Sequence, residues 1–194
     1  MLTVPDLLER LRGLLGTYAS LHLVLVVGGG TAADLVRDLD RRLGLGTAEA
    51  HWLAVEAMSR NAQELSASLQ EIPYIRSWKK LLERIGTPGA SVYDPAEFLR
   101  EVEPGIAGTK LEMSWSVTSD SIAGRVAIAL EARALVLLKS CDLIESESAT
   151  SSLADWVRLG QVDPFMERLA RELPSVHAIN LRDARWWPGT RPGP

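Results

Sequence analysis

The 194 residues contain one cysteine, Cys141, so no internal disulfide can form and a reducing, cytoplasmic setting is expected. Histidine is scarce at three residues, and none stands at a spacing from carboxylates that would build a metal site. Basic residues do not outnumber acidic ones. With 21 against 25 the formal net charge is −4, which argues against a nucleic-acid partner. The longest apolar run, Leu21 to Val27, falls far short of the ~20 residues a membrane span needs. A cationic-then-apolar leader pattern is missing as well, because Asp6 and Glu9 come early. What remains is the composition of a globular protein, 46% hydrophobic and 24% charged, with length for one α/β domain over 1–194.

The most informative stretch is Leu21 to Asp34. A short apolar run reads as a strand buried on both faces of a parallel sheet. It stops at Gly28-Gly29-Gly30, and a helical pattern through Leu35, Val36, Leu39 and Leu43 follows, closed by Gly44 and Gly46. Strand, glycine loop and helix N-terminus form an anion cradle in many proteins, and a purely steric turn in many others.

Leucines at helical spacing predict a first helix from Val4 to Leu15, with Pro5 in its first turn. Thr47 is placed to cap a long helix to about Leu69, with Leu53, Ala54, Ala57, Met58, Ala62 and Leu65 as its buried stripe. A short helix around Trp78–Ile85, a strand at 90–93 and a helix from Asp94-Pro95 through Leu99 come next, then a loop over 101–108. Ser119 or Asp120 is placed to cap an apolar helix running to about Arg133. Ala134 to Lys139 reads as a second buried strand, and 143–152 as a mobile polar loop. Helices at 153–159 and 164–173 and a strand at 176–180 close the pattern. The alternation predicts a three-layer α/β/α sandwich with a mostly parallel sheet.

Open parallel sheets bind ligands beyond the carboxyl ends of their strands. Three chemistry-bearing stretches are candidates for that edge: Gly28 to Gly30, Thr118-Ser119-Asp120-Ser121, and Lys139-Ser140-Cys141-Asp142. Glycine amides, a lysine and a helix-start carboxylate suit phosphoryl transfer, which needs donors for the transferring oxygens and little covalent chemistry from the protein. The Gly-x-Gly-x-x-Gly spacing of dinucleotide sites is not met, since Ala33 takes the last place. His22 and His177 read as structural. The basic and aromatic tail of Arg182, Arg185, Trp186, Trp187 and Arg191 either stacks on a base or packs on the body.

These stretches, in their order and spacing, resemble the amino acid kinase superfamily of aspartate, glutamate and uridylate kinases. Ser119-Asp120-Ser121 resembles the Thr-Asp-Thr element of the uridylate kinases, and Leu138-Lys139 resembles their nucleotide-bordering strand end. Trp115 ahead of Thr118, and His51-Trp52-Leu53-Ala54 with Met58 and Asn61, look most like a short branch that phosphorylates an aminomethylfuran-methanol phosphate. The resemblance implies a kinase using ATP, with Mg²⁺ carried on the nucleotide and no protein-built metal site. Gly28, Gly29, Gly30, His51, Thr118 and Ser119 would hold phosphate and acceptor. Asp120 would orient donors, and Lys139, Ser140 and Asp142 would border the nucleotide.

The family's opening strand, ending in Lys-x-Gly-Gly-Ser, has no counterpart here, and Asp142-Leu143 stands where relatives often have Asp-Gly. An active kinase and a nucleotide- or metabolite-binding relative without catalysis therefore both stay open. A sheet lacking that strand is expected to leave a slot or an open edge and to favour a homo-oligomer.

Overall fold

The computed structural model describes residues 6–140 and 153–182. The order is α1 (Leu7–Thr17), β1 (His22–Val26), α2 (Gly30–Leu43), α3 (Thr47–Ser68), β2 (Tyr74–Ile75), α4 (Trp78–Leu82) and β3 (Gly89–Tyr93). Then follow α5 (Ser119–Ala129), β4 (Ala134–Lys139), α6 (Leu153–Arg158), α7 (Met166–Leu169) and β5 (Ser175–Asn180). A π-helical turn at Phe98–Val102 and a 3₁₀ turn at Glu103–Gly105 lie between β3 and α5.

Among the described residues every strand pairing is parallel. The strands form two sheets rather than one, β1-β3-β2 and β4-β5. The register runs His22↔Gly89 to Val26↔Tyr93 in the first and Ala134↔Ser175 to Lys139↔Asn180 in the second. Parallel pairing brings the carboxyl ends of β1 and β3 to one edge, and those of β4 and β5 likewise.

Alternation along β1 and β3 separates two cores. Leu25, Val27 and Val92 meet Leu11 of α1 and Ala62 and Leu65 of α3 on one face. Val24, Val26 and Tyr93 meet Phe98, Ile122 and Val126 on the other, in a core that extends to Leu135 and Leu137 of β4. Helices thus cover both faces, as the sandwich requires. β3 has a neighbour on each side, and Val92 and Tyr93 are wholly inaccessible. The buried hydroxyl of Ser91, just before them, is satisfied by His22 Nε2 at 3.1 Å and Arg84 Nε at 3.3 Å, so His22 is structural as expected.

Several expectations change. β1, with a single pairing neighbour, is only partly buried along its length, and β4 alternates, with Val136 and Leu138 accessible, because one face of that strand is left uncovered. Leu53 is exposed and Val55 takes its place in the core. Thr47 does not cap α3: Gly46 stands at the cap with φ +89°. The cap of α5 is Thr118, whose side chain accepts from the Asp120 amide, so neither Ser119 nor Asp120 caps it. That helix stops at Ala129, short of Arg133. Gly44 closes α2 in the left-handed region with its N–H on Asp40 O, as glycine permits. Pro5, the 143–152 loop, Cys141, Asp142 and the tail from Arg185 onward lie outside the described residues.

Candidate functional site

The glycine loop is built from the α3 side. Asn61, buried on α3, donates from Nδ2 to Gly28 O at 2.7 Å, and Ala33 N donates to Gly29 O at 3.3 Å. Gly29 is helical at φ −72° and ψ −18°, while Gly30 has φ +53°. A right-handed residue followed by a left-handed one turns successive amides into a common concavity that favours an anion. Among the described residues, the amides from Gly28 to Ala32 donate to no hydrogen-bond partner. Gly30 needs its glycine for that φ. Gly29 needs it for space, since a Cβ there would lie 2.6 Å from Ala33 Cβ.

The loop meets α5 directly. A Cβ on Gly28 would lie 3.0 Å from Ser119 Oγ. At that helix start the amides of Thr118 and Ser121 are already occupied. Asp163 is buried, and its Oδ2 accepts from Thr118 N at 2.9 Å, Thr118 Oγ1 at 2.8 Å and Ser121 N at 3.0 Å. Its Oδ1 accepts from Ser121 Oγ. A carboxylate at a helix N-terminus is favoured by the exposed donors and the dipole, so α5 carries its own anion. The α2 start, by contrast, has uncommitted amides.

One residue into α5, Asp120 Oδ2 accepts from Lys139 Nζ at 2.6 Å, with both side chains largely buried. Lys139 ends β4, so this ion pair ties the second sheet to the helix that abuts the glycine loop. Trp115 adds a further tie. Its Nε1 donates to Asp40 Oδ2 of α2 at 2.8 Å, and Arg37 of α2 lies 4.7 Å over its ring.

The expected residues therefore divide. Gly28, Gly29, Gly30, Thr118, Ser119, Asp120 and Lys139 form one connected constellation. Ser140 follows Lys139 at the end of β4 without a hydrogen bond to the others among the described residues. His51 is half-buried on α3, edge-on to Trp52 at 5.1 Å, and has no hydrogen bond to the constellation among the described residues. Burial holds its pKa below the ordinary 6.5.

The sequence reading missed Asp163 and the role of Asn61. Asp163-Pro164 reads locally as another helix start, and only the fold brings it across 45 residues to Thr118. A cavity of about 780 Å³ was also unforeseen. It lies beyond the carboxyl ends of β2 and β3, lined by Trp52, Glu56, Arg60, Arg76, Asp94 and Arg100 among others. By helical spacing, Trp52, Glu56 and Arg60 leave α3 on the side away from Asn61. None of the expected site residues lines this cavity, so the constellation and the cavity are separate features.

Parallel strands with helices packed on them, and a glycine nest abutting the helix that carries the Asp120–Lys139 pair, are consistent with the amino acid kinase fold. The uridylate kinase of Archaeoglobus fulgidus matches it with a TM-score of 0.52 at 13% identity, over 90% of this chain and 81% of that one. In sequence, the chain is 27% identical over 123 residues to the [5-(aminomethyl)furan-3-yl]methyl phosphate kinase of Methanocaldococcus jannaschii. That alignment takes in 62% of this chain and 52% of the other protein, so the chain spans about half the length of the curated relative it matches. No family model matches the chain. The likeness to the uridylate kinase is one of fold, and the likeness to the phosphate kinase is one of sequence over part of each chain.

Proposed function

We propose that the chain is a small-molecule kinase that uses ATP, with Mg²⁺ carried on the nucleotide, to phosphorylate a small phosphate- or carboxylate-bearing acceptor. Acceptors of the aminomethylfuran-methanol phosphate kind are the first to test, given the curated relative. The observation that carries this reading is the run of uncommitted amides from Gly28 to Ala32, set against α5 and the Asp120–Lys139 pair.

ATP supplies the phosphoryl group. The amides from Gly28 to Ala32 face a developing negative charge with donors fixed in advance, which is where such a site gains its rate. Lys139 offers a cation at the end of β4, and Asp120 fixes its direction. Thr118, held by Asp163, sets the start of α5, and Ser119 borders Gly28. We assign His51 to acceptor contacts and Ser140 and Asp142 to the nucleotide border by resemblance alone. In this reading the protein works in the cytoplasm as a homo-oligomer, with no nucleic-acid or membrane partner. The single-sided pairing of β1 and β4 supports assembly. Among the described residues no helix is long and apolar enough to cross a membrane.

A second reading is a nucleotide- or metabolite-binding protein without transfer. It is favoured by the 2.6 Å Lys139–Asp120 contact, which matches the lysine with a carboxylate rather than leaving it for a phosphoryl oxygen.

Calorimetry with Mg·ATP and a coupled transfer assay over small phosphates and carboxylates separate the two. Turnover that falls at least about a hundredfold in Asp120→Ala, at an unchanged melting temperature, supports the kinase. ATP binding with no transfer to any acceptor selects the second reading, and failure to bind ATP removes both. Gly29→Asp is a poor probe here: Gly29 is buried against Ala33 and Ala57, so the variant would report on folding.

A further inference from the structure

Helix α2 combines strong amphipathicity with no buried residue. Leu35, Leu39 and Leu43 recur every four residues along it and are 61%, 38% and 70% exposed. Its body-facing side is a different one, formed by Ala33 against the glycine loop and by Arg37 and Asp40 against Trp115. The leucine row therefore stands about a third of a turn away from the protein's own core. Three leucines in one row are a contiguous apolar stripe, unlike the scattered single residues normal on a surface.

The charges beside the stripe identify what covers it. Asp38 and Arg42 form a second row, also four residues apart, along one flank of the leucines. Asp38 is held by Arg41 at 3.2 Å on the exposed surface, whereas Arg42 makes no ion pair or hydrogen bond among the described residues. Both rows are nearly symmetric about Leu39 and Asp40. A two-fold axis there lays a second α2 antiparallel on the first, Leu35 over the partner's Leu43. The same operation keeps flank on flank with direction reversed, so Asp38 meets the partner's Arg42 twice. A self-complementary patch of this kind is what a two-fold dimer requires.

We propose that α2 is a homodimer interface in which the Leu35–Leu39–Leu43 stripes of two copies pack antiparallel, with Asp38 of each copy facing Arg42 of the other. The proposal stands apart from the kinase reading, because its test uses no activity. A helix of 14 residues is only ~21 Å long. The contact is therefore smaller than the ~800 Å² per partner of standard interfaces, and the dimer is concentration-dependent.

Sedimentation velocity of the full chain across a concentration series is the test, with melting temperature measured beside it. The parent shifts from monomer to dimer as concentration rises. Leu39→Asp weakens the dimer at least about tenfold in Kd, ~1.4 kcal/mol, because it places a charge at the centre of the apolar contact. Should that variant fail to fold, the flanking charges decide. Asp38→Arg and Arg42→Asp each weaken association, and the doubly exchanged D38R/R42D chain regains it. A parent that stays monomeric at every concentration overturns the proposal. So does a folded Leu39→Asp that dimerises like the parent, or a double exchange that regains nothing. A monomer in which Leu39→Asp lowers the melting temperature would instead assign the stripe to the chain's own residues.

Discussion

Removing the Asp163 carboxylate should cost this fold more than any surface change. Four hydrogen bonds from Thr118 and Ser121 converge on it, two from hydroxyls and two from backbone amides. In Asp163→Ala the hydroxyls can turn to other partners, but the amides of Thr118 and Ser121 cannot. Each buried donor left without an acceptor costs ~1–3 kcal/mol. The lost negative charge at the start of α5 adds roughly 0.3–2 kcal/mol. The expected loss is about 3–5 kcal/mol, which for a domain of this size lowers the melting temperature by roughly 6–20 °C. Asp163→Asn keeps the shape and an oxygen for the two amides, and its Nδ2 can donate to Ser121 Oγ. It should cost only about 1–2 kcal/mol. Thermal melts followed by circular dichroism at one pH rank the three proteins. An alanine variant melting within about 2 °C of the parent, or below it by no more than the asparagine variant, would refute the argument that the carboxylate holds the start of α5.

Tyr93 is buried against Trp78 and Phe98 with an unpartnered hydroxyl, and burial together with the Glu97 and Asp94 charges pushes its pKa up. Tyr93→Phe should leave denaturant stability unchanged or raise it by up to ~2 kcal/mol, and a clear loss would mean that the hydroxyl has a partner. Because burial lowers the His51 pKa below 6.5, the unfolded chain takes up that proton before the folded one does. The stability His51 contributes is therefore fully present above 6.5 and is lost as pH falls towards the folded value. Melting temperatures from about pH 8 to 5 should drop in the parent and drop less in His51→Gln. Asn61→Ala removes the 2.7 Å bond to Gly28 O. It should cost about 1 kcal/mol and weaken ATP binding as seen by calorimetry, and unchanged binding would detach the glycine loop from the nucleotide.

Much of the fold was legible because leucine spacing and strand-length apolar runs are local signals. The run of α2 into Gly44 and the length of α3 follow from periodicity and glycine alone. What stayed hidden was decided by neighbours. β1 and β4 look buried on both faces because they are rich in valine and leucine, yet composition does not say what covers each face. Tyr74-Ile75, a strand of two residues, has no period to read. At the site, Ser119 and Asp120 each had the chemistry of a cap. Thr118 took the position because Asp163 engages its hydroxyl and amide, and Asp120 was left to meet Lys139. The constellation itself was legible as residue types at strand ends. Its inner support, Asp163 and the hold of Asn61 on the loop, came from contacts that no local pattern encodes.

Because no strand pairing among the described residues joins the two sheets, Gly28 acts as a gauge. Within each sheet, backbone ladders set a spacing of about 4.8 Å whatever the side chains are. Between the glycine loop and α5 no ladder exists among the described residues, and the separation is held by side chains, by the Trp115 tie to α2 and by the room that Gly28 leaves for Ser119. Glycine is the smallest possible shim, and a Cβ there would press on Ser119 Oγ, so a larger residue must turn that hydroxyl aside or widen the gap. Misplacement of about 1 Å can cost a reaction about a hundredfold. Part of the constellation's tolerance would then rest on the hydrogen atom that serves Gly28 as a side chain.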